Sequence, residues 1–354
     1  MEWQMQPVVI AGQSVGDGMP FVIAEAGVNH DGSVETAHRL IDVAARSGAQ
    51  AVKFQTFDAR TLVAAATPMA PYQRRTGSAL SQAELLDSLA LPRGAWRELA
   101  GYAASCGLIF LSTPFDLASA DLLVELGVPA LKSPSGELTN TSFLRALAGY
   151  GLPLFVSTGM GEEREVDLAV AAVAAAPGLV LFHCVSAYPA PLDQCNLRVI
   201  PAMEARYGVP VGWSDHTSDT TAAVVAAALG ARVFEKHFTL DRTAPGPDHA
   251  ASLEPEELVG YVTAVRNAVL ALGDGVKRRV ASEEENAPLV RRGWHATQEM
   301  SSGHQIVDGD VVALRPEVGI SVGIEIVGRR LRRGVAKGEA VRAEDLETDR
   351  SHVR

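Results

Sequence analysis

The chain has 354 residues, of which 47% are hydrophobic and 21% are charged, and its formal net charge at pH 7 is -11. This balance is typical of a globular protein with a substantial core, and the acidic excess disfavours nucleic acid and anionic membranes as partners. No apolar run approaches the roughly 18 residues that a membrane span needs. The first residues lack the basic region of a signal peptide, so we expect a cytoplasmic protein.

Cysteine spacing excludes two further classes of protein. Cys106, Cys184 and Cys195 form no CxxC pair, which argues against a disulfide framework or a zinc cage. We therefore expect three buried thiols.

Eight short apolar runs alternate with Ala- and Leu-rich helical stretches through most of the chain. The predicted strands are 21–24, 51–54, 108–111, 129–132, 154–157, 179–182, 209–212 and 231–234. Near-continuous apolar strands separated by helices indicate a parallel sheet that is covered on both faces. Eight such units predict an α/β fold, a (β/α)8 TIM barrel.

The pattern changes after Gly275. Residues 282–286 form a charged segment typical of a linker, and beyond it a weak repeat follows. The motif Gly303-x-x-Ile306-x-x-x-Asp310 recurs as Gly338-x-x-Val341-x-x-x-Asp345 among short strands that are rich in Gly and Val. We predict a barrel over 1–282, a linker over 283–296 and a small, mostly β domain over 297–354.

Polar residues follow every predicted strand. Because chemistry in such barrels collects where strands end, these residues predict a polar ring at one mouth. The ring consists of Glu25, Lys53, Gln55, Thr113, Asp116, Lys132, Ser135, Ser157, Thr158, His183, Ser186, Ser214, Asp215, His216, Glu235, Lys236 and His237.

His216 and His237 follow adjacent strands. A single histidine at a strand end is more often a hydrogen-bonded structural residue than a ligand, but two of them would project into the same mouth. Neutral imidazoles suit a first-row divalent ion. The pair therefore indicates a candidate metal site, and Asp248 follows in a loop that could close over it or form a simple turn.

Lys53 and Lys132 have three interpretations, because a lysine inside a barrel mouth is costly unless it is paired or used. They could form salt bridges, hold a phosphate-bearing substrate together with Ser135 and Ser157, or provide a Schiff-base amine. The candidate salt-bridge partners are Glu25, Glu137 and Glu235.

Seven motifs in order resemble the N-acetylneuraminate (sialic acid) synthase family, which includes legionaminic and pseudaminic acid synthases. They are IAEAGVNHDG (23–32), VKFQTF (52–57), STPFD (112–116), STGM (157–160), HCVSAYP (183–189), GWSDHT (212–217) and EKHFT (235–239). The resemblance reaches the C-terminus, where the tail resembles an antifreeze-like (SAF) domain.

The resemblance implies roles for individual residues. His216 and His237 would bind a divalent metal, Mn²⁺ by expectation and Mg²⁺ or Co²⁺ as alternatives, and Glu25 would act near the reacting centre. Gln55, Tyr188, Asp248 and Arg315 would contact the sugar. Phosphoenolpyruvate would be held by Lys53, Thr113, Lys132, Ser135, Ser157, Ser186 and Ser214.

The implied reaction condenses phosphoenolpyruvate with an N-acetylated amino sugar, expected to be N-acetylmannosamine, to give a sialic acid and phosphate. The alternative is a diacetamido-dideoxy hexose leading to legionaminic or pseudaminic acid, and a Schiff-base lyase and a non-catalytic sugar-binding protein are distant rivals. Arg315 would enter the neighbouring subunit's barrel, which implies a domain-swapped homodimer. Ser186-Ala187, Glu317 and the 132–136 stretch depart from the family's common pattern, and the first two leave the sugar open.

Overall fold

The structure is a computed structural model that describes residues 8–64 and 81–347. It divides into two compact units between Gly273 and Asp274. The domain limits placed by the sequence after residues 282 and 296 stay a prediction. Within the described ranges, no helix is long and apolar enough to cross a membrane.

The first unit is built around eight parallel strands, as the sequence predicts. The strands are β3 (Phe21–Gly27), β4 (Ala51–Thr56), β5 (Ile109–Pro114), β6 (Leu131–Ser133), β7 (Leu154–Ser157), β8 (Leu179–Cys184), β9 (Val211–Asp215) and β10 (Val233–His237). Their order in the sheet is β5-β4-β3-β10-β9-β8-β7-β6, and β5 and β6 lie side by side, so that the sheet forms a nearly closed barrel.

Helices cover the outside of the barrel. The described helices of this unit are α1 (Val34–Ser47), α2 (Ala59–Leu62), α3 (Gln82–Leu89), α4 (Ala95–Ser105), α5 (Leu117–Glu125), α6 (Thr141–Gly149), α7 (Glu163–Ala172), α8 (Val199–Tyr207), α9 (Thr221–Ala228) and α10 (Pro255–Leu272). The first shows why they begin where they do: Ser33 accepts a hydrogen bond from the backbone N–H of Thr36, which satisfies one of the unpaired donors of the first turn.

Side-chain alternation along the strands separates two cores. Outward residues such as Val52 and Phe234 pack against the helices. Inward residues such as Ile23, Ala51 and Val233 fill the barrel interior, and a hairpin of β1 (Val8–Ile10) and β2 (Gln13–Val15) packs against its amino-terminal end. Most strands run a few residues further than the apolar runs predict, so most of the predicted strand-end polar residues are the last residues of the strands themselves.

The second unit contains α11 (Ala287–Val290) and an antiparallel pair, β11 (Gly293–Ala296) and β12 (Val311–Leu314). The repeat seen in the sequence has a structural basis here. Gly303 and Gly338 both have φ of +82°, a conformation that glycine adopts without strain. Ile306 and Val341, three residues after them, are fully buried in this unit's own core.

Candidate active site

A cavity of about 300 Å³ opens at the carboxyl ends of the barrel strands. It brings together all the predicted site residues that the barrel carries. These are Glu25, Lys53, Gln55, Thr113, Lys132, Ser135, Ser157, Ser186, Tyr188, Ser214, His216, His237 and Asp248. The period of two along each strand explains the convergence, because the residues that continue the interior face beyond the apolar layer are polar.

Lys53 lies at the centre of a buried charge network. Its Nζ is 2.9 Å from Oε2 of Glu25 and 3.7 Å from Oε2 of Glu235. The ammonium also donates a hydrogen bond of 2.7 Å to Oγ1 of Thr113. Gln55 donates from Nε2 to the other oxygen of Glu25 at 3.2 Å, so both oxygens of that carboxyl group have a partner.

Lys132, on β6 and two strands away from Lys53, reaches the same network. Its Nζ donates to Oγ of Ser157 at 2.6 Å and lies 3.5 Å from Oε1 of Glu235. Ser214 donates to the same oxygen of Glu235 at 3.2 Å. Of the salt-bridge partners that the sequence suggested for the two lysines, Glu25 and Glu235 are in place. Glu137 instead accepts a hydrogen bond from Asn140.

The two carboxyl groups differ in protonation because the lysines act on them unequally. Burial raises the pKa of Glu25 from 4.5 to about 7, because it outweighs the attraction of Lys53. Burial acts on Glu235 in the same direction, but Lys132 and Lys53 together lower its pKa to about 2. Glu235 is therefore a fixed anion between two lysines, and Glu25 is a group poised to exchange a proton near neutral pH.

The pKa values of the two lysines shift in opposite directions. Burial alone would lower the pKa of Lys53, but the carboxylates of Glu235 and Glu25 raise it overall. Burial lowers the pKa of Lys132, which has one close carboxylate instead of two.

His216 and His237 lie side by side at the ends of the neighbouring strands β9 and β10, with ring centroids 5.7 Å apart and the rings tilted by 50°. The Nδ1–H of His216 donates to the backbone carbonyl of Val185 at 2.7 Å, which leaves the lone pair of Nε2 for a ligand. Nδ1 of His237 is buried and has no hydrogen-bond partner among the residues described. Burial lowers the pKa of His216 to about 4 and that of His237 well below 6.5, so both imidazoles are neutral.

This donor set fits an open divalent-metal site. Two neutral imidazoles, one with its tautomer fixed by a carbonyl, are ligands that first-row ions accept, and the remaining positions would be left for water and substrate. Across 8–64 and 81–347, no cluster of three or more His, Cys, Asp or Glu residues is placed to hold a metal. The two histidines therefore suit an open site, in which substrate or water completes the coordination of the metal. They do not form a closed structural site, in which protein ligands fill every position.

Tyr188 and Asp248 border the histidine pair. The ring of Tyr188 lies 4.2 Å from that of His216 and 5.9 Å from that of His237, measured between centroids. Oδ2 of Asp248 lies 3.8 Å from Nδ1 of His237. Burial raises the pKa of the Asp248 carboxyl to about 6.

Ser135 and Ser186 belong to a small polar wall at the side of Lys132. Oγ of Ser135 accepts a hydrogen bond from the N–H of Gly159 at 3.1 Å and lies 3.2 Å from Sγ of Cys184. A Cβ on Gly159 would lie 2.4 Å from Oγ of Ser186, so glycine is needed for this wall to close. Cys184 and Cys195 are buried as expected, whereas Cys106 is half-buried; all three thiols are free.

Arg315 lies in the second unit, directly after β12. Its predicted contact with the sugar in a neighbouring subunit stays a prediction.

Part of the predicted polar ring does not line the cavity. Alternation turns Asp215 and Lys236 outward, where they form a buried ion pair of 3.3 Å. His183 bonds the carbonyl of Cys195, and Thr158 that of Phe182. Asp116 caps α5 through the N–H of Ser119. These side chains make structural contacts and do not reach the cavity, because each lies on the outer face of the barrel or beyond the strand end.

The structure also adds to the site residues that were given no binding or catalytic role from the sequence. Glu235 is the most important: the sequence placed it in the polar ring as a possible salt-bridge partner, and it shares the inner face of its strand with His237, two residues later. The other additions to the lining are Phe115, Pro134, Gly136, Met160 and Cys184.

Comparison with known proteins identifies the family of this site. The sequence profile of the NeuB family matches residues 40–277. The chain belongs to the NeuB family. This assignment agrees with the resemblance that the seven motifs carry.

Two curated relatives in this family share a name. The N,N'-diacetyllegionaminic acid synthase of Legionella pneumophila is 42% identical over 336 residues, which cover 92% of this chain and 94% of the relative. The synthase of the same name from Campylobacter jejuni is 42% identical over 305 residues, which cover 85% of this chain and 91% of the relative.

A solved NeuB-family structure has the same fold. The N-acetylneuraminic acid (sialic acid) synthetase from Leptospira borgpetersenii, crystallised with citrate, superposes with a TM-score of 0.70 at 32% identity. The match covers 81% of this chain and 96% of that one.

Proposed function

We propose that this protein is a nonulosonic acid synthase that condenses phosphoenolpyruvate with a diacetamido-dideoxy hexose, in the manner of a legionaminic acid synthase. The observation that carries the reaction class is the single cavity in which two buried lysines, a poised Glu25 and two neutral imidazoles meet. The sugar rests on the relatives: 42% identity to two legionaminic acid synthases against 32% to the sialic acid synthetase. This favours the alternative sugar over the N-acetylmannosamine expected from sequence.

The reaction forms one C–C bond between the substrates and one C–O bond from water to the pyruvyl C2, and it breaks the C–O bond to phosphate. The methylene carbon of phosphoenolpyruvate attacks the aldehyde carbon of the open-chain sugar, whose oxygen gains a proton. Positive charge develops at the pyruvyl C2, and water adds there and loses a proton. Departure of phosphate with its bridging oxygen, with transfer of the C2 hydroxyl proton to that phosphate, then leaves the 2-keto acid.

The lysines bind the anionic substrate. The ammonium groups of Lys53 and Lys132 lie on either side of the Glu235 carboxylate, and Thr113, Ser157 and Ser214 supply hydroxyl groups beside them. A phosphate and a carboxylate can replace the intramolecular contacts of these ammonium groups with charge-assisted hydrogen bonds. Glu235 keeps the lysines charged and apart until the substrate binds.

Glu25 handles the proton of the attacking water. With a pKa of about 7, its carboxyl group is partly ionised at neutral pH and can accept that proton. Its contacts with Lys53 and Gln55 fix the direction of both oxygens, so the water is oriented by a rigid group.

A divalent metal, Mn²⁺ by preference, would be held by His216 and His237, where it would supply Lewis acidity to polarise the sugar aldehyde. Neutral imidazoles in this cavity provide its ligands without competing protons. Gln55, Tyr188 and Asp248 border the same part of the cavity and would contact the sugar.

Arg315 completes the sugar site in this proposal. It would come from the second unit of a partner subunit, so the active assembly is a domain-swapped homodimer. The departure Glu317, two residues later, lies in this segment and fits a change of sugar within the family.

A sugar panel tests the proposal. The purified protein, Mn²⁺ and phosphoenolpyruvate are incubated with N-acetylmannosamine or with diacetamido-dideoxy hexoses, and phosphate release and product mass are read together. We expect kcat/KM to be at least about tenfold higher for a diacetamido sugar, a ratio that one set of buried polar contacts can provide. A higher kcat/KM for N-acetylmannosamine would overturn the sugar assignment but leave the reaction class intact.

A further inference from the structure

Asp248 occupies its place in the cavity without a side-chain anchor. No residue within the described ranges donates a hydrogen bond to its carboxylate, and Nδ1 of His237 lies 3.8 Å away, beyond hydrogen-bond distance. The side chain is 13% exposed. Its position must therefore be set by the backbone of the loop between β10 and α10.

Two contacts fix this backbone immediately after Asp248. His249 is buried, and its Nε2–H donates to the carboxylate of Asp31, with both oxygens 3.1 Å away. Nδ1 of the same ring lies 2.6 Å from Oγ1 of Thr239, a buried residue just beyond β10. The imidazole thus joins the first βα loop of the barrel to the last one.

A second pair of hydrogen bonds holds the carbonyl of Asp248 itself. Oγ of Ser252 donates to that carbonyl at 2.7 Å and accepts from Nδ2 of Asn29 at 2.9 Å. Nδ2 of Asn29 also donates to the carbonyl of Phe238 at 2.8 Å. Asn29 and Ser252 are both 1% exposed, so these hydrogen bonds are shielded from water.

The loop also passes very close to the contact between Asp31 and His249. A Cβ on Gly246 would lie 2.5 Å from Cδ2 of His249 and 2.6 Å from Oδ1 of Asp31. The absence of a side chain at 246 therefore lets the chain lie over this contact. The motif 29–32, which the catalytic assignments leave without a role, supplies Asn29 and Asp31.

We propose that Asp31 and His249 form a clasp that positions Asp248 for recognition of the sugar hydroxyl or amide groups. This inference rests on the proposed function, in which Asp248 faces the sugar. Asp31 and His249 do not line the cavity, so they are positioning residues that act through Asp248. Loss of the clasp should weaken the use of the sugar and leave the binding of phosphoenolpyruvate unchanged.

Asp31 is the residue to substitute, because its side chain is 39% exposed and its φ is +49°. Asp31→Gly removes the carboxylate at a conformation that glycine adopts freely, so the variant should fold. Asp31→Asn keeps an acceptor for Nε2–H and is the conservative control. Both are compared with the native protein and combined with Asp248→Ala.

We expect Asp31→Gly to lower kcat/KM for the sugar about tenfold, and Asp31→Asn to stay within about threefold of the native value. The KM for phosphoenolpyruvate should change less than about twofold, because only sugar contacts are affected. In the Asp248→Ala background, Asp31→Gly should have no further effect, since both changes act on one group. Unchanged sugar kinetics in Asp31→Gly, or losses that multiply with Asp248→Ala, would overturn the clasp.

Amide hydrogen exchange tests the clasp without requiring catalytic activity. Asp31→Gly should speed exchange in residues 246–252, whereas Asp31→Asn should not, because the hydrogen bond survives there. Equal exchange in all three proteins would refute the clasp. If the native protein releases no phosphate with any sugar, the proposed function fails, and the exchange data still decide whether the clasp exists.

Discussion

Oε2 of Glu25 lies 2.9 Å from Nζ of Lys53, and both side chains are almost fully buried. In this environment burial raises the pKa of Glu25 to about 7 despite the adjacent ammonium group. A carboxyl group with this pKa can accept a proton from water at neutral pH and return it at lower pH.

The first prediction concerns pH. Below pH 7 the Glu25 carboxyl holds its proton and cannot accept another, so kcat should rise with pH through an apparent pKa of about 7. Glu25→Gln should abolish this limb and lower kcat by about 10²–10³-fold. Steady-state measurement of kcat with saturating substrates, between about pH 5 and 9, tests this dependence.

Asp248, whose pKa is about 6, is the other carboxyl in the cavity that could produce such a limb. Asp248→Asn is therefore the matched control and should keep the limb near pH 7. If the limb disappears in Asp248→Asn and persists in Glu25→Gln, the assignment of the base is wrong.

The second prediction concerns the histidines. His216→Ala and His237→Ala should each abolish condensation and weaken Mn²⁺ binding by at least about 100-fold, because each removes a ligand in the proposed metal site. Calorimetric titration with Mn²⁺ measures the affinity, and circular dichroism confirms that the barrel remains folded.

His183 supplies the control for these variants, because it also ends a strand but bonds the carbonyl of Cys195. His183→Gln keeps a donor for that carbonyl and should retain Mn²⁺ affinity. Normal Mn²⁺ affinity in His216→Ala would contradict the metal assignment.

The third prediction separates an anion-binding lysine from a Schiff base. Lys132→Met should raise the KM for phosphoenolpyruvate by at least about tenfold, since a charge-assisted contact is lost. Ser157→Ala should have a smaller effect, because it removes the hydroxyl partner and leaves the charge. Borohydride with a keto acid should add no mass to the native protein, and a covalent adduct on Lys53 or Lys132 would establish the lyase mechanism instead.

The fourth prediction addresses the swapped dimer. Arg315→Ala and His216→Ala should each be inactive, but co-expression should restore activity, because one site of the heterodimer has an intact barrel and an intact arginine. Random pairing would give about a quarter of the native rate. Co-expression of His216→Ala with His237→Ala should restore nothing. Full activity in Arg315→Ala alone would remove the reason for the swap.

Much of the barrel and of its candidate site can be predicted from the sequence. The eight apolar runs predict the strands because parallel strands are buried on both faces, and the residues that end them predict the cavity. The direction of each side chain is harder to predict. Asp215, Lys236 and His183 look equivalent to their neighbours until the strand limits are known, since a shift of one residue exchanges the two faces.

Other features depend on contacts between distant parts of the chain. The ionised state of Glu235 depends on two lysines from strands β4 and β6, and no local pattern in 233–237 reveals it. The clasp joins Asp31 to His249 across 218 positions, so motif 29–32 indicates importance without indicating a role. The sugar preference stays a proposal because it depends on details of shape that motifs do not encode.

The central claim is that phosphoenolpyruvate condenses with an amino sugar and loses phosphate by C–O cleavage. The most direct test is the reaction in ¹⁸O-labelled water with Mn²⁺ and a diacetamido-dideoxy hexose, followed by mass spectrometry of both products. The account predicts a nonulosonic acid that contains the carbons of both substrates, and phosphate that carries no label from water. Labelled phosphate without a condensed product would mean simple P–O hydrolysis and would contradict the account.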